Sequence, residues 1–153
     1  MLFQPRAPQT PQLKALLIQI HMLQLAIPLE LLVKVIRTPN IVQTTHQWIG
    51  ITQYEQTGLL VLDLHRKLYD RPNPEIAEHL VILSQRDRQF GIPVKQLPSM
   101  INISRDRLQP LPADYRDRDA LGIASHLFIQ SDDSTPIFLL DSDRLWATLA
   151  IAG

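Results

Sequence analysis

The sequence predicts an all-β fold made from a duplicated unit, with short helices and one helix at the C-terminus. Two observations carry that reading. Short apolar runs recur along the chain, with turn signals at close intervals and few stretches of helical period. One pattern also occurs twice: residues 26–36 read Ala-Ile-Pro-Leu-Glu-Leu-Leu-Val-Lys-Val-Ile, and residues 91–101 read Gly-Ile-Pro-Val-Lys-Gln-Leu-Pro-Ser-Met-Ile. Without a gap, Ile27/Ile92, Pro28/Pro93, Leu29/Val94, Leu32/Leu97, Val35/Met100 and Ile36/Ile101 match in kind. Each copy leads on to Gly-Ile (Gly50-Ile51, Gly122-Ile123) and to an apolar run ending in Asp63 or Asp141. A repeat of about half the chain indicates two similar modules rather than a solenoid. A groove between two such modules is a natural place for a partner.

The elements follow in order. Residues 1–12, with Pro5, Pro8 and Pro11 among Gln and Thr, read as a flexible lead-in. Leu16–Ile20 and Gln24–Ile27 read as strands around a tight turn at His21-Met22. Leu31–Ile36 is a third strand, although Glu30–Lys34 could be one helical turn. Trp48–Gln53 and Gly58–Leu62 make a strand pair, and Leu64–Tyr69 is a brief helix before the linker Arg71-Pro72-Asn73-Pro74. Leu80–Ser84 and Gln89–Val94 flank the polar hairpin gap Gln85–Arg88. Pro98 marks its segment as an edge or broken strand. Asn102–Ala120 reads as a long loop with a turn at Ser104. Leu121–Gln130 and Pro136–Leu140 flank a second polar gap, Ser131–Thr135. Ser142 is the candidate N-cap of a final helix through Ile151.

Composition removes several function classes. At 153 residues the chain can bury a sizeable core without a disulfide or metal. Net charge is zero, so no global field draws in nucleic acid or anionic lipid. The clusters Arg86/Arg88, Arg105/Arg107 and Arg116/Arg118 alternate with Asp87, Asp106, Asp117 and Asp119 and read as solvated loops. With no cysteine there is no thiol chemistry and no zinc–thiolate site. Residues 1–10 lack the apolar core of a signal peptide. The span 13–32 carries Lys14, Gln19, His21, Gln24, Pro28 and Glu30 and does not cross a bilayer. A cytoplasmic location is expected.

The histidines (21, 46, 65, 79 and 126) show no ligand spacing and read as unrelated imidazoles, so no metal or other cofactor is expected. Ser125, His126 and Asp141 could be drawn as a triad, but no nucleophile turn or oxyanion loop accompanies them. Only five glycines are present and no phosphate loop. Asp63 and Asp141 read as helix caps rather than a catalytic pair. Trp48, Trp146 and Tyr54 are the aromatics suited to an interface, with Trp146 read chiefly as a clasp between lobes.

Taken in order, these segments resemble the CheW-like adaptors of bacterial chemotaxis arrays. That family carries Val-x-Glu-Val-x-Arg and then Gly-Val-Ile-Asn-Leu-Arg-Gly-x-Ile-Val-Pro-Val-Ile-Asp-Leu, onto which Leu32–Arg37 and Gly50–Leu64 fall. Its Gly-Leu-Leu-Val-Asp-x-Val corresponds to Gly91–Leu97, and its closing Leu-Leu-Asp-Leu-Asp-Lys-Leu to Leu139–Leu145. The resemblance spans about residues 14–149. It implies a single domain at 13–153 made of two five-stranded, SH3-like barrels, at about 13–71 and 78–141, and a C-terminal helix at about 142–152. It also implies no catalysis. The implied role is a coupling adaptor between a chemoreceptor-like signalling tip and the regulatory domain of a CheA-like histidine kinase, in a chemotaxis, pilus-motility or phototaxis system. The adaptor would be brought to the membrane only through receptor arrays.

The departures fall on charge. The family's Asn-Leu-Arg-Gly is here Gln53-Tyr54-Glu55-Gln56, its first-lobe Glu is Lys34, and its second-lobe Asp is Lys95. Both signs reverse together at Lys34 and Glu55, which suggests that the two side chains pair. The expected interaction residues are Leu32, Lys34, Val35, Arg37, Tyr54, Glu55 and Gln56. Two rivals remain: a degenerate relative that regulates a kinase or response regulator outside any array, and a small hydrolase or ligand-binding barrel.

Overall fold

Twelve strands and two helices form among the described residues of the computed structural model, which are 11–71, 76–112, 114, 122–130 and 135–152. In chain order they are β1 (Gln12–Ile20), β2 (Leu23–Pro28), β3 (Leu32–Arg37), β4 (Val42–Gln43), β5 (Ile49–Tyr54), β6 (Thr57–Leu62) and α1 (Leu64–Tyr69). Then come β7 (His79–Gln85), β8 (Arg88–Val94), β9 (Ser99–Ser104), β10 (Gln109–Pro110), β11 (Ala124–Ile129), β12 (Pro136–Leu140) and α2 (Ser142–Ala152). Single 3-10 turns at Leu29–Leu31 and Arg105–Arg107 lead into β3 and toward β10. The first of these resolves the ambiguity at Glu30–Lys34: a turn comes first, then a strand.

The strands form two six-stranded sheets, one more strand in each than the five expected. Sheet A runs β10-β11-β12-β2-β1-β9, and sheet B runs β3-β7-β8-β6-β5-β4. Neither sheet is a continuous stretch of chain, so lobes cut at about 13–71 and 78–141 do not coincide with the sheets. The hairpin β1–β2 leaves the first half to join the second half's strands, and β7–β8 does the reverse. Each graft is joined on both sides, by a parallel pairing (β12 with β2, β6 with β8) and a longer antiparallel one (β1 with β9, β7 with β3). Local apolar runs carry no mark of which half supplies the neighbour, so this exchange was invisible in sequence.

The duplication holds to the residue. In β1–β2, Leu16 faces Ile27; in β7–β8, Val81 faces Ile92, each partner 65 residues further on. The same step carries Val35↔Val81 onto Met100↔Leu16, and Ile36↔Leu80 onto Ile101↔Ala15. The matches Ile27/Ile92, Val35/Met100 and Ile36/Ile101 are therefore equivalent positions. The Gly-Ile match is not. Asp63 N–H donates to the Trp48 carbonyl (2.8 Å) and Asp141 N–H to the Ile123 carbonyl (2.8 Å), which makes Trp48 the counterpart of Ile123. Gly50 lies within β5, whereas Gly122 lies in the turn before β11.

Burial explains why the strands read as nearly unbroken apolar runs. Along β1, Leu16, Ile18 and Ile20 enter a central core shared by both sheets, while Ala15 lines the interior of sheet A. Along β7, Val81 and Leu83 enter the central core, and Leu80 and Ile82 line the interior of sheet B. Both faces are buried, so the hydrophobic–polar alternation of a half-exposed strand is lost. The two barrel interiors are filled differently at equivalent positions. Ala15 and Ala26 in one answer to Leu80 and Gly91 in the other, where a Cβ on Gly91 would lie 2.9 Å from Leu80 side-chain atoms.

Both helices begin on an aspartate, as expected. Asp63 Oδ1 accepts from Arg66 N–H at 3.1 Å, and Asp141 Oδ1 accepts from Asp143 and Arg144 N–H at 3.0 and 3.2 Å. The cap of α2 is thus Asp141, not Ser142, because the Asp141 carbonyl already accepts the first helical bond, from Leu145 (3.0 Å).

Other expectations shift at the edges. The stretch 102–120 is not all loop: Asn102–Ser104 complete β9, a 3-10 turn follows, and β10 pairs with β11. Pro98 lies just before β9, which is an edge strand of sheet A. Strand β1 already includes Gln12, shortening the lead-in. The segments at 1–10, 72–75, 115–121 (with Arg116, Asp117, Arg118 and Asp119) and 131–134 lie outside the described residues.

Candidate interaction surface

The seven expected interaction residues fall on two separate features. Leu32, Lys34, Val35 and Arg37 lie on β3, an edge strand of sheet B. Lys34 and Arg37 are exposed, while Leu32 and Val35 are half-buried against the central core. A bulge between Leu32 and Lys34 leaves Val33 on the surface. Two cations along an open edge discourage indiscriminate strand pairing. Tyr54, Glu55 and Gln56 form the tip of the β5–β6 hairpin, with Glu55 and Gln56 both at positive φ (50° and 66°). This is the backbone of a tight hairpin turn that usually favours Asn-Gly.

Lys34 and Glu55 make no ion pair with each other among the described residues. The reason is topological: β7, β8 and β6 lie between β3 and β5 in the sheet. Glu55 instead sits beside Tyr54. The Tyr54 hydroxyl is raised above its ordinary value of 10.0 by lost hydration and, secondarily, by the charge and hydrogen bond of Glu55. The Tyr54 side chain also packs against the interior of sheet B with Ile36 and Ile41.

A feature that sequence reading missed lies next to that hairpin. The tips of β5–β6 and β7–β8 flank a cleft of about 440 Å³, open to solvent and lined by Tyr54, Thr57, Gly58, Leu59, Ser84, Asp87 and Gln89. Buried Leu59 contributes to its lining, and the other side chains present hydroxyl, amide and carboxylate groups. Arg86, Asp87 and Arg88 are exposed, as expected of a solvated loop, but the sequence holds no sign of the pairing β6–β8 that brings the two tips together. Within that turn the charges separate. Arg86 reaches Asp143 at 3.5 Å and Arg88 lies over the Trp146 ring at 5.4 Å, both toward α2. Asp87 lines the cleft.

Two histidines read as unrelated are in contact. Packing α1 against the β1–β2 turn brings His65, buried, within 5.8 Å of His21 and 5.0 Å of Tyr69, ring centre to ring centre. His65 Nδ1 lies 3.1 Å from the Arg71 carbonyl, and Tyr69 donates its hydroxyl to the Ile20 carbonyl at 3.2 Å. Among the described residues no three His, Cys, Asp or Glu side chains converge as metal ligands. Ser125 Oγ and His126 Nδ1 are 2.8 Å apart on β11, but Asp141 is engaged in capping α2.

Trp146 is the expected clasp: it leaves sheet A on α2 and packs against Phe90 of sheet B. Trp48 instead lies under Lys67, whose ammonium is 4.6 Å from the ring centre. No helix among the described residues is long and apolar enough to cross a membrane.

Two interlocked β-sheets around a shared core, with exposed hairpin tips and charged edges, are the architecture in which the interaction residues are set. The chain belongs to the CheW-like domain family, whose model matches residues 14–149. The fold is similar to that of the scaffolding protein TtCheW from Thermoanaerobacter tengcongensis. The TM-score is 0.72 at 14% identity, over 92% of this chain and 90% of that one. No curated protein matches the sequence. Membership implies an adaptor domain in chemotaxis-type signalling.

Proposed function

We propose that this chain couples a chemoreceptor-like signalling tip to the regulatory domain of a CheA-like histidine kinase, without catalysis of its own. What carries the reading is the family match across residues 14–149, which takes in strands of both sheets and both helices. Its contacts would be made by Leu32, Lys34, Val35 and Arg37 on the β3 edge and by Tyr54, Glu55 and Gln56 at the β5–β6 tip. It would work in the cytoplasm, beside receptor arrays. The test is co-sedimentation with receptor-fragment assemblies and the cognate kinase. Kinase recruited and placed under receptor control only when the chain is present supports coupling.

A second reading is favoured by one observation. Lys34 and Glu55 both reverse the charge found in the family pattern and do not neutralise each other. A partner built for the usual polarity would meet like charge at both places, which costs affinity. On this reading the chain regulates a kinase or response regulator outside an array. Binding to kinase with exclusion from receptor assemblies would select it.

A further inference from the structure

We propose that the cleft between the β5–β6 and β7–β8 tips is a socket for a single basic side chain, arginine or lysine, presented by the partner protein. This deepens the adaptor reading and rests on it for the partner's identity, though not for the chemistry of the socket.

Three observations converge. The cleft is open to solvent, with Thr57, Gly58, Asp87 and Gln89 exposed, and its 440 Å³ is room enough for one long side chain. Its lining suits an aliphatic stem that ends in a cation. Leu59 offers apolar surface, Tyr54 an aromatic ring, and Ser84, Thr57 and Gln89 hydrogen-bonding groups. It also contains one carboxylate, Asp87, which among the described residues has neither an ion pair nor a side-chain hydrogen bond.

The absence of an internal cation is notable because Asp87 stands between two arginines. Both are directed elsewhere: Arg86 to Asp143, and Arg88 onto Trp146. Glu55, next to Tyr54, adds negative charge near the mouth without lining the cleft. Asp87 is the one charged group in the cleft lining, and among the described residues no cation of this chain engages it. A guanidinium or ammonium entering from a partner would gain a charge-assisted hydrogen bond to Asp87.

The experiment uses a probe that needs no partner. Backbone amide shifts of the intact chain are followed during titration with Nα-acetyl-arginine amide, and with the glutamine analogue as a neutral control. The expected result is saturable shifts at Tyr54, Gly58, Ser84, Asp87 and Gln89 with the arginine compound alone. These should vanish in Asp87→Asn and persist in Asp70→Asn. Both aspartates have left-handed backbone, φ 64° and 53°, which asparagine tolerates, so both variants keep the fold. Shifts scattered over exposed carboxylates, no shifts, or shifts unchanged in Asp87→Asn would overturn the socket.

With the kinase regulatory domain as partner, Asp87→Asn should weaken binding about tenfold or more. Equal binding by wild type and Asp87→Asn to both the kinase domain and receptor fragments defeats the socket and leaves the coupling role standing. If neither kinase nor receptor fragments bind the wild type, the coupling role falls, and the arginine titration alone decides the socket.

Discussion

Phe90 on β8 and Trp146 on α2 meet edge to face, with ring centres 5.3 Å apart and planes at 82°. Phe90 belongs to sheet B, and Trp146 arrives on the helix that continues from sheet A. The contact is therefore one of the points that fasten the sheets together. A double-mutant cycle with Phe90→Leu and Trp146→Leu, read by urea unfolding, should give a coupling of about 0.5–1.5 kcal/mol. Phe90→Ala alone should cost about 3–5 kcal/mol, because the ring is fully buried. A coupling near zero would reduce the pair to independent packing.

Gly91 is required by its neighbour rather than by its backbone, whose φ is not positive. Gly91→Ala forces a methyl to within 2.9 Å of Leu80 and should destabilise by about 1–3 kcal/mol. Leu80→Ala alone should cost about 2–5 kcal/mol. Together they recreate the Ala15 and Ala26 arrangement of the other barrel, so the double variant should lose clearly less than the sum. Additive losses would show that the two interiors are not interchangeable at this position.

The β5–β6 turn holds two non-glycine residues in left-handed backbone, Glu55 and Gln56. Gln56→Gly relieves one of them and should raise stability by roughly 0.5–1 kcal/mol after the entropic cost of glycine. Thermal unfolding would check it, and a lowered midpoint would contradict the turn geometry.

Asp63→Ala and Asp141→Ala each remove a helix cap and should cost about 1 kcal/mol, within about 0.5–2 kcal/mol. Asparagine at either position should restore most of the loss, since its side-chain oxygen also accepts from the helix N–H groups. Ser142→Ala should change little, which separates the true cap from its neighbour.

Alkaline titration should single out Tyr54. Its raised value means that the folded state prefers the neutral phenol. The associated stability is whole below the ordinary 10.0 and is lost as pH rises through the folded value. Phenolate absorbance should show a late-titrating tyrosine that Tyr54→Phe removes. Glu55→Gln should move it only part of the way back, because lost hydration is the larger cause.

The parts of the fold that were legible are those written locally. The hairpin at His21-Met22, the short helix after Asp63 and the equivalence of Ile27 with Ile92 follow from apolar runs, turn residues and repetition. What escaped was long-range. Val35 pairs with Val81 rather than with a strand of its own half, and local periodicity does not name a partner. The same limit hid the contact of His21 with His65 and the absence of one between Lys34 and Glu55. A joint change of sign is evidence of a shared partner as readily as of mutual contact. The cleft between the two hairpin tips escaped for the same reason, since the β6–β8 pairing that joins them is long-range.

The reciprocal exchange of β1–β2 and β7–β8 makes the protein indivisible. Cutting the chain at the segment after α1 would leave one fragment holding β3–β6 without the pair that separates β3 from β6, and the other holding β9–β12 without the pair that bridges β9 and β12. Each fragment would carry a hairpin with no sheet of its own to enter. The arrangement in which every strand finds a neighbour is then two fragments swapping hairpins, the geometry of a symmetric, domain-swapped dimer. The single chain is that dimer with its two subunits made continuous, and its stability no longer depends on concentration.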